Sequence, residues 1–506
     1  MSRVDESRCG SEQVEVSDHS QFKSSSSLTT DLGGTDSDSD VLCPRVTIGK
    51  LPDDVLLEIF VHVIGPSYST LSGPRRFEDG WRTLVHVYRR WRSVVLASPR
   101  RLDLQLFCTN TRPVKKLLDI WPASLPISIY SYHHSWQSPL RGVANLMASL
   151  EQQNRVRGIC IRGAPNSLLK QFVAMKAFPA LTILILTSND KQAPVLPDSF
   201  LGGSAPRLRE IHLTGIPFPG IGKLLLSTTD LVTLYLWDIP HSGYISPEAM
   251  VSSLSTLARL EKLDLRFRSP RSRAVRENRQ ASLLTRVVLP ALIELYFTGD
   301  SEYLEDIVSR IDVPLLNNVD ITFFNQLVFD TPQLRHFVSR AGISKAPDCV
   351  HIFFDDGHVT VRPFQRLSLK ILCEPSDWQL SSLSQLYNSA LFPLPTLEQL
   401  EIHNLLEYWE EDVENVQWLE LLRLFPSLKD LVLLGKSFRF VAVALDELDG
   451  ESVTEVLPAL QNIFIQDPHA SEPDDNKAIE AFIATRQLLG SPVTVQHRGG
   501  KDQDRY

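Results

Sequence analysis

The chain has 506 residues, 43% of them hydrophobic and 22% charged. That supplies apolar surface for about three ordinary domains or one long repeat array and excludes a wholly disordered chain. With 51 basic and 60 acidic side chains the net charge is −9, which argues against nucleic acid or an anionic membrane as partner, and no apolar run nears the ~20 residues of a membrane span.

Residues 1–45 are polar, with Ser24–Ser27 and an alternating Thr35–Asp40 stretch. They carry too little apolar surface to offset the entropy of ordering, so a disordered tail is expected. Nothing in this stretch has the apolar core of a secretion signal. Ser37 and Ser39 sit among acidic residues, the surroundings that acid-directed kinases favour.

From Leu51 the sequence LPDDVLLEIFVHVIG predicts a helix. Pro52 suits a first turn, and Asp53 and Asp54 place negative charge at the positive helix end. Val55, Leu56, Ile59, Phe60 and Val63 make one apolar stripe, which Gly65-Pro66 stops. A loop to Gly80 leads to a second predicted helix, WRTLVHVYRRWRSVVLASP. Its apolar side holds Trp81, Leu84, Val87, Tyr88, Trp91, Val94 and Val95. Two short helices of this kind carry more apolar surface than they can bury against each other.

Beyond residue 150 one phrase repeats: apolar residues at i, i+3 and i+5. Its copies begin at Val156, Leu181, Leu208, Leu231, Leu260, Leu292, Leu316, Phe364, Leu397, Leu428 and Leu460, at intervals of 23–33 residues except for one of 48, where a decayed copy is expected. Positions i+3 and i+5 share one face of an extended strand. Helical segments lie between copies, as at Ser246-Pro247-Glu248, an N-cap, N1 proline and first-turn acid. Ser301 similarly precedes Leu304, Ile307 and Val308. A strand-plus-helix unit cannot bury its own core, so the units must stack.

Residues 51–100 resemble an F-box: Leu51–Phe60 matches its opening helix, and Val87-Tyr88-Arg89-Arg90-Trp91-Arg92 its later V-C-R-R-W-R-like segment. The phrase array resembles leucine-rich repeats. The layout as a whole is similar to the F-box/leucine-rich-repeat proteins abundant in mushroom-forming basidiomycete fungi. The resemblance implies an α/β fold: a short helical F-box (46–100), then an irregular leucine-rich-repeat solenoid of strand plus helix per repeat (101–490) and a polar tail (491–506). It further implies the substrate-receptor subunit of an SCF-type (cullin–RING) ubiquitin ligase. Leu51, Pro52, Val55, Leu56, Ile59, Phe60, Leu84, Val87, Trp91 and Val94 would bind the Skp-type adaptor, and the repeats a protein substrate. The alternative is a non-degradative repeat scaffold. The asparagine expected at i+8 is present once, as Asn189.

Arg266, Arg268, Arg271, Arg273, Arg276 and Arg279 surround Ser269-Pro270 in what reads as an exposed loop: a solvated insertion, a nuclear-import signal, or a contact for an acidic or phosphorylated substrate, since guanidinium groups grip phosphate bidentately. His133-His134 and Trp136 follow an apparent strand at Ile127–Tyr130 and lack further ligands nearby. Asp355-Asp356-Gly357 reads as a turn. Glu410-Glu411-Asp412 and Glu414 read as the wet face of a helix whose dry side holds Val416, Leu419 and Leu422. The six cysteines, Cys9, Cys43, Cys108, Cys160, Cys349 and Cys373, are scattered, with no C-x-x-C pair and no His at zinc-ligand spacing. They indicate neither a metal site nor a disulfide framework, and a reduced cytoplasmic or nuclear setting is expected. No phosphate-binding, nucleophile-elbow or zinc-protease motif is present, so neither catalysis nor a cofactor is expected.

Overall fold

Every copy of the repeated phrase is a strand. In chain order the strands are β1 (Leu104–Phe107), β2 (Ile127–Tyr132), β3 (Val156–Arg162), β4 (Ile183–Thr187), β5 (Glu210–Thr214), β6 (Thr233–Ile239), β7 (Lys262–Phe267), β8 (Val287–Val288), β9 (Glu294–Gly299), β10 (Ile311–Asp312), β11 (Asn318–Phe324), β12 (Cys349–Asp355), β13 (His358–Phe364), β14 (Leu367–Leu372), β15 (Gln399–Asn404), β16 (Asp430–Gly435), β17 (Asn462–Gln466) and β18 (Thr494–His497). The computed structural model describes residues 48–64, 84–97, 104–108, 113–132, 139–175, 177–190, 192–270, 286–325, 329, 331–343, 349–364, 366–373, 376–388, 396–404, 415–450, 452–466 and 473–497. The chain divides into two units, Met1–Pro52 and Asp53–Tyr506. Both N-terminal helices belong to the unit that carries the strands. Of the first unit, residues 48–52 are described: a 3₁₀ turn over Ile48–Lys50, closed by Leu51 N donating to Ile48 O.

Among the described residues sixteen strands form one sheet, ordered β1 through β7, then β9-β11-β14-β13-β12-β15-β16-β17-β18. The repeated phrase sets its register: Leu184, Ile211, Leu234, Leu263, Leu295, Val319 and Leu367 stand side by side. Leu400, Leu431 and Ile463 do the same further on. All of these are buried, as are their i+5 partners. Position i works differently. The amides of Leu181, Leu208, Leu231 and Leu260 close turns onto the carbonyls three residues back, and the following residue bonds to the preceding repeat, as Arg209 N does to Thr182 O and Val232 N to Arg209 O. This folds the first apolar residue under the strand. A chain of phenylalanines extends the core between repeats, Phe172–Phe200–Phe218, with ring centroids 5.6 and 5.5 Å apart. Together these features make an α/β array of stacked strand-plus-helix units.

The long interval does hold a decayed copy, β12: Val350 and Ile352 are buried and stand in register with Leu400 and Ile402, while proline, at 347, replaces the opening apolar residue. Between Leu316 and Leu397 the array doubles back: β12 pairs in parallel with β15, whereas β13 runs antiparallel between β12 and β14. Asp355↔His358 is the last pair of the hairpin, and Gly357 (φ +78°) takes the left-handed turn position. Phe364, expected to open a copy, is instead the last residue of β13. The sheet also runs past the expected boundary at 490, because β18 lies in the stretch read as a tail. Asn189 is exposed; the buried polar group beside it is Ser188, whose amide bonds Thr214 O in the next repeat.

Helices fill the other layer. Ser246 caps Pro247–Leu254, its Oγ accepting from Ala249 N at 3.2 Å. Asp300, not Ser301, holds the N-cap position of Ser301–Val308. Caps also pass between neighbours: buried Glu305 accepts from Gln333 N (2.8 Å) and Leu334 N (2.7 Å), the first turn of Pro332–Arg340. A carboxylate there satisfies two orphan amides and complements the helix dipole. Glu305→Ala should destabilise this helix by about 1–3 kcal/mol, measured as faster amide exchange across 332–340 with exchange in 210–267 unchanged.

The expected second helix is two pieces, 84–87 and Arg89–Ala97, broken at Tyr88. Arg92 Nε donates to Val85 O across the break at 3.0 Å. The break shifts the buried face to Leu84, Val85, Val94 and Val95, leaving Val87 and Tyr88 exposed. In Asn415–Leu422 the buried side is Trp418, Leu419, Leu421 and Leu422, while Val416, expected on the dry side, is exposed. Ser37, Ser39, His133, His134, Trp136, Glu410, Glu411, Asp412 and Glu414 lie outside the described residues.

Candidate functional site: the outward strand face

Strand alternation gives the sheet a second face. Where i+3 and i+5 point into the core, i+2 and i+4 point away. Across β5, β6, β7, β9 and β11 the i+4 row reads His212, Tyr235, Asp264, Tyr296, Asp320. Towards β2–β4 this face is apolar: Tyr130, Cys160, Ile183 and Ile185 form a small buried cluster with Phe107 and Tyr132 against it.

At β5–β7 the face carries aromatic and charged groups together. The His212 and Tyr235 rings are 4.4 Å apart, and Tyr235 stacks on Trp237 at 5.6 Å with planes 14° apart. Trp237 is 37% exposed, and the Arg266 guanidinium lies 4.9 Å above its ring. Arg266 is held there by a two-point bond to Asp264 (2.8 and 2.9 Å), a carboxylate 2% exposed. Burial, and then the nearby Arg162 charge, lower His212 to about 4, so this ring is neutral at physiological pH.

This corrects the reading of the arginine stretch. Arg266 is a strand residue rather than a loop residue, and Arg268 is bound bidentately to Asp238 at 2.7 Å through both nitrogens. Both guanidinium groups are therefore already engaged by carboxylates. Arg271, Arg273, Arg276 and Arg279 lie outside the described residues.

The expected adaptor residues separate into two groups. Leu56, Phe60, Leu84 and Val94 are sealed beneath this chain's own side chains, with the Phe60 and Trp91 rings 4.9 Å apart. These four, which the resemblance places against the adaptor, are buried in this chain. Val55 (39%) and Val87 (56%) are exposed, and Ile59 and Trp91 are partly so. In the first unit, Leu51 is half-buried and Pro52 exposed. Arg90 Nη2 pairs with Asp53 Oδ1 at 2.6 Å across the two helices.

A third group stands on β12 and β15. His351 is in register with Glu401, and Phe353 with His403. His351 Nδ1 lies 2.9 Å from Glu401 Oε2, and His403 Nε2 lies 3.6 Å from the same oxygen. Gln399 Nε2 donates to Oε1 at 3.3 Å. The two imidazoles, His351 first, bring the Glu401 carboxyl down to about 2. Cys349 joins them: its sulfur, a His351 nitrogen and a Glu401 oxygen all lie within 4.8 Å of one another. The sequence holds a local trace of this, since Cys349-Val350-His351 on a strand puts both side chains on one face. Glu401 and His403 come from fifty residues away and only the sheet brings them in. Trp237, equally, carries no motif.

No family model matches the sequence, and no curated protein matches it. Among solved structures, the leucine-rich repeat-containing protein LegL7 from Legionella pneumophila is similar at a TM-score of 0.22 and 13% identity, covering 78% of this chain and 99% of that one. So slight a likeness carries no argument; the repeat architecture rests on the strands described above. No helix among the described residues is long and apolar enough to cross a membrane.

Proposed function

We propose that the chain is a protein-binding repeat scaffold and, more specifically, the substrate receptor of an SCF-type ubiquitin ligase. The observation that carries this reading is the contrast between the faces of β6 and β7. Leu234, Leu236, Leu263 and Leu265 are sealed in the core, whereas Tyr235, Trp237 and Arg266 stand outward, two of them joined by a cation–π contact. Trp, Tyr and Arg are the side chains that dominate binding energy at protein interfaces, and the Asp264 clamp holds Arg266 over the indole before any partner arrives. With Arg266 and Arg268 already neutralised, this face suits an apolar or aromatic segment better than a phosphorylated one.

The adaptor reading is supported by the F-box-like wording of residues 51–92 and by the exposure of Val55 and Val87 beside a packed helix pair. The mechanism is proximity: one body holding adaptor and substrate raises the substrate's local concentration near the ligase. Affinity purification with mass spectrometry, comparing wild type, Val55→Asp/Val87→Asp and Trp237→Ala, tests both halves. The valine variant should lose the adaptor and keep client proteins, and Trp237→Ala should do the reverse. Equal adaptor recovery with the valine variant refutes the ligase reading. Adaptor binding without turnover of any client favours the non-degradative scaffold.

A further inference from the structure

We propose that Cys349, His351 and Glu401 form a binding site for a divalent late-transition ion, zinc by the chemistry of its donors, with His403 as a supporting group. The inference is independent of the ligase reading. Thiolate, imidazole and carboxylate together are the donor set of zinc, and three protein ligands with an open fourth position describe a solvent-reachable zinc site. Donors around a tetrahedral zinc stand about 3.4–3.6 Å apart. Here all three fall within 4.8 Å, so modest side-chain rotations close the site.

The backbone fixes two of the three positions. Cys349 and His351 alternate on β12, and Glu401 is the direct cross-strand partner of His351 on β15. The His351 side chain is 25% exposed and that of Glu401 11%, which leaves an approach from solvent. His403 Nε2 is buried and has no hydrogen-bond partner among the described residues, although it lies 3.6 Å from Glu401 Oε2. Once a metal draws Glu401 toward Cys349, that nitrogen can donate to the ligated carboxylate, as outer-shell groups commonly do. Arg362, the cross-strand partner of His351 on β13, has its guanidinium over the Phe353 ring at 4.8 Å. Thiolate and carboxylate bring two negative charges, which offset the ion. Binding releases the Cys349 thiol proton to solvent, so affinity falls as pH is lowered.

The other described cysteines do not compete. Burial pushes the Cys108 and Cys373 thiols up to about 12 and raises Cys160 as well, which disfavours the thiolate a metal needs.

Titrating the full chain with Co²⁺ as a spectroscopic probe, followed by displacement with Zn²⁺, tests the proposal. One equivalent should give the visible bands of a tetrahedral site and a thiolate-to-cobalt charge-transfer band, and Zn²⁺ should abolish both. Cys349→Ser should remove the charge-transfer band, and Cys373→Ser should keep it. His351→Gln and Glu401→Gln should each weaken binding at least tenfold, and His403→Gln about 10–100-fold. Because a variant can misfold, metal protection of Cys349 from alkylation in the wild-type chain gives a second readout. Absence of the charge-transfer band at one equivalent, no protection of Cys349, or undiminished binding in both His351→Gln and Glu401→Gln overturns the proposal.

Discussion

Arg486→Ala should loosen the last repeat by about 3–5 kcal/mol, the largest effect expected of any single substitution at the C-terminal end. Arg486 lies on Pro473–Leu488 and is 1% exposed. Its guanidinium donates to Ser491 O and Val453 O at 3.2 Å, to Leu460 O at 3.3 Å, and to Leu457 O and Pro458 O at 3.5 Å. These carbonyls belong to the short helix Ser452–Glu455, to the segment that leads from it into β17, and to the turn before β18; one of them is at Leu457, which sits at φ +55°. Truncation leaves several buried acceptors without a donor. Arg486→Lys should recover little, because an ammonium cannot span acceptors arrayed around a planar fork. Since repeats are coupled chiefly to their neighbours, amide exchange should rise across 452–497 and stay unchanged across 156–267. Uniform change along the array would contradict this account of the terminal clamp.

Trp418→Ala should cost about 3–5 kcal/mol, centred on the reversal. Trp418 is fully buried on Asn415–Leu422, and its ring meets Phe354 of β12 in a T-shaped contact with centroids 5.5 Å apart. It ties the doubled-back hairpin to the repeat that resumes the parallel order. Chemical denaturation should show a lower midpoint, with accelerated exchange in β12 and β15. Trp418→Phe should recover part of the loss, since a smaller ring leaves a smaller cavity.

The repeats were legible because their signal is physical: i+3 and i+5 must share the buried face, and all the copies that carry it became strands in register. The same signal hid the reversal. An alternating apolar pattern such as Val359-Thr360-Val361 is identical in parallel and antiparallel strands, so the direction of β13 could not be read from it. The second helix was read as continuous because heptad-like spacing runs through Tyr88, yet the break there is recorded only in backbone geometry. Site residues were least legible. Trp237 is outward merely by alternation, and Glu401 and His403 acquire meaning only when β15 pairs with β12. The two N-terminal valines show a related limit: periodicity marked the stripe but could not say which of its members this chain covers itself.

Adaptor binding itself is measured by isothermal titration of a purified Skp-type adaptor into the 506-residue chain. Saturable one-to-one binding is expected, abolished in Val55→Asp/Val87→Asp while amide exchange across the repeats stays unchanged. No binding by the wild-type chain at about 10 μM, or undiminished affinity in the double variant, would contradict it.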